Sequence, residues 1–124
     1  MPIAVVIALA GGLGALARYG LDGLVLRRLG TAFPWGTFVV NVTGSFALGF
    51  VFTLLTERIA GTPWLRSSLT IGFLGSYTTF STLSLETYRL AEDGAWALAA
   101  ANIAGSVAAG LVALYGGVVL ARLV

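Results

Sequence analysis

Cysteine, histidine and lysine are absent from this 124-residue chain, and charge of either sign is scarce. Without cysteine there are no disulfides and no thiolate chemistry. Without either cysteine or histidine, the usual zinc sites and imidazole catalysis go too. Only 10% of the residues are charged, against roughly a quarter in a soluble domain. That is too few to cover a water-facing surface of this size. All seven basic residues are arginine, and they are scattered, giving a net charge of only +2. Nucleic acid as a partner is therefore excluded. What fills the chain is apolar: 58% of its residues are hydrophobic and the mean hydropathy is +0.96. The class is an all-α membrane protein.

The few charges punctuate the chain into four spans, read as one transmembrane domain over residues 1–124. The spans are expected at about 2–26, 34–56, 63–90 and 95–123, separated by "RRLGTAFPW", "ERIAGTPW" and "AEDGAW". Each meets the requirement of about 20 residues for crossing the hydrocarbon core. Thr62-Pro63 reads as an N-cap followed by proline at the first helical position. Trp35, Trp64 and Trp96 each stand where a helix begins, as an aromatic belt at the interface requires. The N-terminal run lacks a basic n-region and exceeds an h-region, which reads as a retained helix. "GLGALA" over 12–17 imitates a dinucleotide fingerprint, but it sits inside an apolar helix and not in a strand–turn–helix unit. Close helix packing is the reading preferred for Gly11, Gly12, Gly14 and Ala15.

Orientation is nearly unspecified. One side of the membrane would carry Arg58, Arg66 and Arg122, the other Arg27, Arg28 and Arg89, with Arg18 inside the first span. So even a balance gives the positive-inside rule almost nothing to act on. A chain that inserts both ways can pair with an inverted copy of itself, the unfused form of an inverted repeat. A dimer is also expected because four helices alone cannot enclose a polar path and hide its hydroxyls from lipid. Two polar stripes at helical spacing suggest such a path: Thr37, Asn41, Ser45 and Gly49 on the second span, and Asn102, Ser106 and Gly110 on the fourth. Interhelical packing explains the glycines; for Asn102 and Ser106, packing and path-lining stand level.

The third span holds the conspicuous stretch, "GFLGSYTTFSTLSLE" over 72–86. Seven hydroxyl residues fall within it: Ser76, Tyr77, Thr78, Thr79, Ser81, Thr82 and Ser84, with Glu86 at its end. Its centre, "GSYTTFST", is rich in glycine and β-branched residues, which weaken a helix. A break there would free carbonyls at mid-membrane, tolerated only where protein or water satisfies them and suited to a cation. The alternative is an intact helix whose hydroxyls bond back to the preceding turn.

"GFLGSYTTFSTLSLE" resembles the third-helix signature of the Fluc (CrcB) fluoride channel family. "GGLGALARY" and "WGTFVVNVTGSFALG" are similar to its first- and second-helix motifs, in the same order and spacing, while the fourth helix matches more loosely. The resemblance implies a dual-topology antiparallel homodimer in the inner membrane, whose two pores pass fluoride out of the cell down its gradient. It also implies a broken third helix and a central structural sodium ion, held by the carbonyls of Gly75 and Thr78. It makes Phe80 a pore-lining ring, Asn41, Thr82 and Ser106 polar residues of the fluoride path, and Glu86 a vestibule carboxylate. Arg18 matches the family's first-helix arginine, for which a structural role is preferred over anion binding. Thr79, Ser81 and Asn102 are further candidates for the path or its packing. Two departures stand out: Leu83 occupies the place of a second phenylalanine, and Gly75-Ser76 that of paired glycines.

The chemistry is coherent. Replacing the water of a small anion needs donors in series, which hydroxyls and amides supply and carboxylates do not. Positive ring edges can face an anion. The competing reading is a small dual-topology, proton-coupled multidrug exporter. That mechanism needs a mid-membrane carboxylate, whereas Asp22 and Glu86 lie toward the ends of their spans. An enzyme is disfavoured for want of a base–nucleophile pair.

Overall fold

The computed structural model describes residues 1–59 and 61–124. Its regular structure among these is all helical: α1 (Ile3–Leu29), α2 (Trp35–Thr53), α3 (Pro63–Ser67), α4 (Gly75–Tyr77), α5 (Phe80–Glu92) and α6 (Trp96–Leu123). Two stretches are wound wider, as π-helix: Leu54–Arg58, which continues α2, and Ser68–Leu74, which joins α3 to α4. Ile3–Leu29, Trp35–Arg58 and Trp96–Leu123 are each long and apolar enough to cross a membrane. The remaining pieces, from Pro63 to Glu92, form the third helical segment.

Local chemistry sets the ends. Thr62 accepts a hydrogen bond from the Leu65 N–H at 3.1 Å, and Pro63 opens α3 behind this cap. The first helix runs on through Arg27 and Arg28, whose charges suit the negative end of the helix dipole. It stops at Gly30 (φ 80°), where a residue without a Cβ takes the positive φ. The three tryptophans lie in the first turns of α2, α3 and α6, all of them exposed.

Packing is governed by backbone approach. A Cβ at Gly49 would collide with the Leu114 carbonyl, and one at Gly117 with the Phe46 carbonyl and Phe50 nitrogen. So α2 and α6 meet nearly backbone to backbone. Likewise α1 lies on the π-wound stretch, Gly14 fitting against the Phe73 carbonyl. Gly12, grouped with the packing glycines by the sequence, faces open space instead. The buried apolar core is small (Val40, Leu55, Leu74, Leu83, Ala99 and Ala121), and large apolar residues such as Leu13, Leu16, Leu111 and Val112 point outward. That inverted distribution suits a lipid solvent.

A candidate pathway around the third helical segment

The helical course from Pro63 changes character after Tyr77. Thr78 (φ −80°, ψ 158°) and Thr79 (φ −149°, ψ 118°) are extended, and α5 starts afresh at Phe80. Thr79 is the N-cap of α5: its Oγ1 accepts from the Thr82 N–H at 3.3 Å while its hydroxyl donates to Thr82 Oγ1 at 3.0 Å. Asn41 holds the same residue from α2. Its Oδ1 accepts from the Thr79 N–H at 2.8 Å and its Nδ2 donates to the Thr79 carbonyl at 3.0 Å. The side-chain amide thus takes the place of a neighbouring turn of helix. In an uninterrupted helix the Thr79 N–H would go to the Gly75 carbonyl; committed to Asn41, it leaves that carbonyl without its helical donor. Gly44 lets α2 come this close, since a Cβ there would strike the Thr78 methyl and the Tyr77 ring. Back-bonding hydroxyls also occur, Thr78 to the Leu74 carbonyl and Ser84 to that of Phe80.

Around this point lies a groove of about 290 Å³. Asn41, Ser45, Gly75, Thr78, Thr79, Phe80, Leu83 and Ser106 all line it, so eight of the residues singled out in the sequence come together. Phe80 is 79% exposed, whereas Leu83, one turn on, is only 6% exposed. Ser106 is buried, and its Oγ has no hydrogen-bond partner among the described residues. The residue lines the groove, and its hydroxyl is a donor with no protein acceptor among the described residues.

The other candidates lie elsewhere. Thr82 is engaged with Thr79, and Ser81 is exposed beside it, its Oγ 3.5 Å from Thr79 Oγ1. Asn102 is fully buried and donates to Thr87 Oγ1 at 2.9 Å, which ties α6 to α5. Arg18 reaches the Ser76 carbonyl at 3.3 Å. Glu86 belongs to a second cleft, of about 330 Å³, with Asp22, Trp35, Gly36, Arg89 and Asp93. Its Oε1 is buried there without a partner among the described residues. Two participants escaped the sequence reading, Thr70 in the groove wall and Thr87 as the partner of Asn102; Asp22, weighed there only for an exporter, is wedged against Gly36. The periodicity of α5 could have suggested Thr87, which lies one turn beyond Leu83 on the face turned to α6.

Residues 5–118 match the family model described as CrcB-like protein, Camphor Resistance (CrcB). A protein of Solibacter usitatus (strain Ellin6076) named fluoride-specific ion channel FluC is 50% identical over 116 residues, 94% of this chain and 95% of that protein. The one from Geobacter sp. (strain M21) is 50% identical over 118 residues, covering 95% of each chain. The one from Magnetococcus marinus is 47% identical over 118 residues, 95% of this chain and 96% of its own.

Proposed function

The chain belongs to the CrcB-like family, and from that membership we propose that it is a fluoride-selective channel that lets fluoride leave the cell passively. It is a multi-pass integral membrane protein whose relatives are named as ion channels, not enzymes. The observation that carries the reading is the groove, where the Asn41 amide, the unpartnered Ser106 hydroxyl and the Phe80 ring share one wall system beside extended backbone. Neutral donors replace an anion's hydration without holding it too tightly to leave. Asn41 has a second amide proton beyond the one given to Thr79, so it can brace the backbone and face the ion. Thr82, Ser81 and Glu86 belong to the approaches in this reading, and Asn102 to their support. Purified chain in liposomes should release fluoride when a counter-ion path is opened, and chloride far more slowly. Release of neither, with proton-driven uptake of an organic cation, would replace this reading with the multidrug exporter.

The functional unit is an antiparallel homodimer, in which the third helical segment crosses the membrane as two half-helices meeting at Thr78 and Thr79. Balanced loop arginines and an outward-facing Phe80 support it. Cysteines introduced singly into the first loop, between Leu29 and Trp35, are expected to label from both faces of the cell membrane. Labelling from one face only would end dual topology.

The residues present fit a structural sodium ion. Gly75 and Thr78 line the groove, and both main-chain oxygens lie at the interruption. The helical donor of the Gly75 carbonyl is committed to Asn41, and the Thr82 N–H that would serve Thr78 goes to Thr79 Oγ1. Hard oxygen dipoles of this kind suit an alkali cation, and two inverted copies supply four. Such an ion adds a fixed positive field near the anion path. Thr78→Ala removes the hydroxyl bond to Leu74 and the methyl beside Gly44 but keeps the main-chain oxygen, and it is expected to keep the parent's response when sodium is exchanged for a bulky organic cation. A parent that responds while Thr78→Ala does not would move the ligand from the main chain to the side chain.

A further inference from the structure

An arginine within a membrane span is costly unless something engages it. Arg18 has no carboxylate partner: the ion pair found among the described residues joins Arg122 to Glu57. What Arg18 does engage is main chain, its Nε donating to the Ser76 carbonyl at 3.3 Å. Ser76 sits in α4, which ends one residue later. In an unbroken helix its carbonyl would accept from the Phe80 N–H. With Thr78 and Thr79 extended, the two groups are no longer a helical pair. Of the four carbonyl-bearing residues from 75 to 78, Gly75 and Thr78 line the groove, whereas Ser76 and Tyr77 do not. On the α1 side the fit is tight. A Cβ at Gly11 would lie 2.9 Å from Ser76 Oγ, so α1 is pressed to the residue that Arg18 grips.

We infer that Arg18 is a positioning residue: it caps the Ser76 carbonyl from α1, as Asn41 caps Thr79 from α2, and so fixes which main-chain oxygens of the interruption face the groove. Its charge suits the C-terminal end of a helix, but the essential property is a donor at the Nε position, not attraction of the anion. The inference rests on the channel reading above and names a residue that serves that path without touching its ion.

Glutamine separates the two properties. Its Nε2 follows Cδ, as Nε does in arginine, so Arg18→Gln keeps a donor at the same place in the side chain and removes the charge. Fluoride efflux from liposomes should remain within about threefold of the parent for Arg18→Gln, at low and at high ionic strength. Arg18→Met, of similar reach with no donor, should fall by about tenfold or more. Hydrogen exchange of the peptide spanning residues 75–82 should match the parent in Arg18→Gln and quicken in Arg18→Met. Loss of flux in Arg18→Gln with retention in Arg18→Lys would overturn the inference, as would a deficit in Arg18→Gln confined to low salt, where attraction by charge is least screened. If Arg18→Met does not accumulate in the membrane, the Gln and Lys variants still decide. A parent chain that passes no fluoride overturns the channel reading and this inference together; when the parent conducts, a failure of these variants counts against the role of Arg18 alone.

Discussion

Asn41→Leu is expected to lower fluoride efflux by about a hundredfold or more. Leucine has nearly the shape of asparagine, so the substitution removes two hydrogen bonds and little volume. Both bonds go to one residue, Thr79, whose N–H and carbonyl have no regular helical context because Thr78 and Thr79 are extended. Each main-chain group left without a partner costs about 1–3 kcal/mol when buried, and both Thr79 bonds are partly buried. Two such groups amount to roughly 2–6 kcal/mol, and about 1.4 kcal/mol is a factor of ten in rate or population. The chain's cheapest response is to draw the Thr79 N–H back toward the Gly75 carbonyl and continue the helix. That would withdraw the carbonyl proposed for sodium and rotate Phe80 out of the groove. Efflux and the hydrogen exchange of residues 75–82 should therefore change together. Unchanged efflux in Asn41→Leu would remove Asn41 from the path and from its support.

The legible parts of this molecule are those that depend on one residue and its immediate neighbours. Thr62-Pro63 announces a helix start because an N-cap oxygen and a fixed proline φ act locally. The tryptophans announce the interfaces for a similar reason, since their amphipathic rings prefer one depth. The family was legible because its motifs are contiguous, and residues 5–118 carry them. What stayed hidden depends on a second helix. Propensity marks "GSYTTFST" as a poor helix, but the extended pair is Thr78 and Thr79, where Asn41, distant in sequence, bonds both main-chain groups of Thr79. Nothing in the local pattern announces π-winding over Ser68–Leu74, where the backbone widens beneath α1. The sequence offered a break or back-bonding hydroxyls as alternatives, and the stretch holds a cap (Thr79), back-bonds (Thr78 and Ser84) and an exposed hydroxyl (Ser81) together. Glu86 shares α5 with Phe80 and Leu83 but lines a cavity separate from theirs.

Phe80→Ile is expected to cut efflux by about tenfold or more, and Leu83→Phe to leave it within about threefold. The two positions are one turn apart on α5 and line the same groove, but they differ in situation. Phe80 is 79% exposed, at the first residue of the helix, with its ring free to meet a guest or an inverted copy. Isoleucine keeps the apolar bulk, so contact with lipid or a partner is largely preserved. What it lacks is the positive ring edge, whose contacts with another ring's face are worth about 0.5–1.5 kcal/mol each and set the scale here. At about 1.4 kcal/mol per factor of ten, one such interaction at the upper end suffices for the loss. No neighbouring ring compensates, because the adjacent groove position is Leu83. Leu83 is only 6% exposed, so a phenylalanine there must extend into the groove that its side chain already borders. Overpacking carries a cost of about 1–3 kcal/mol in a closed core, and an open groove should bring it to the low end. The added ring would supply an edge where the parent has a methyl surface. The double variant Phe80→Ile/Leu83→Phe should then recover part of the lost flux. Equal efflux from Phe80→Ile and the parent would assign the exposed ring to lipid or to dimer packing. Loss in Phe80→Ile with no recovery in the double variant would tie the ring edge to position 80 alone.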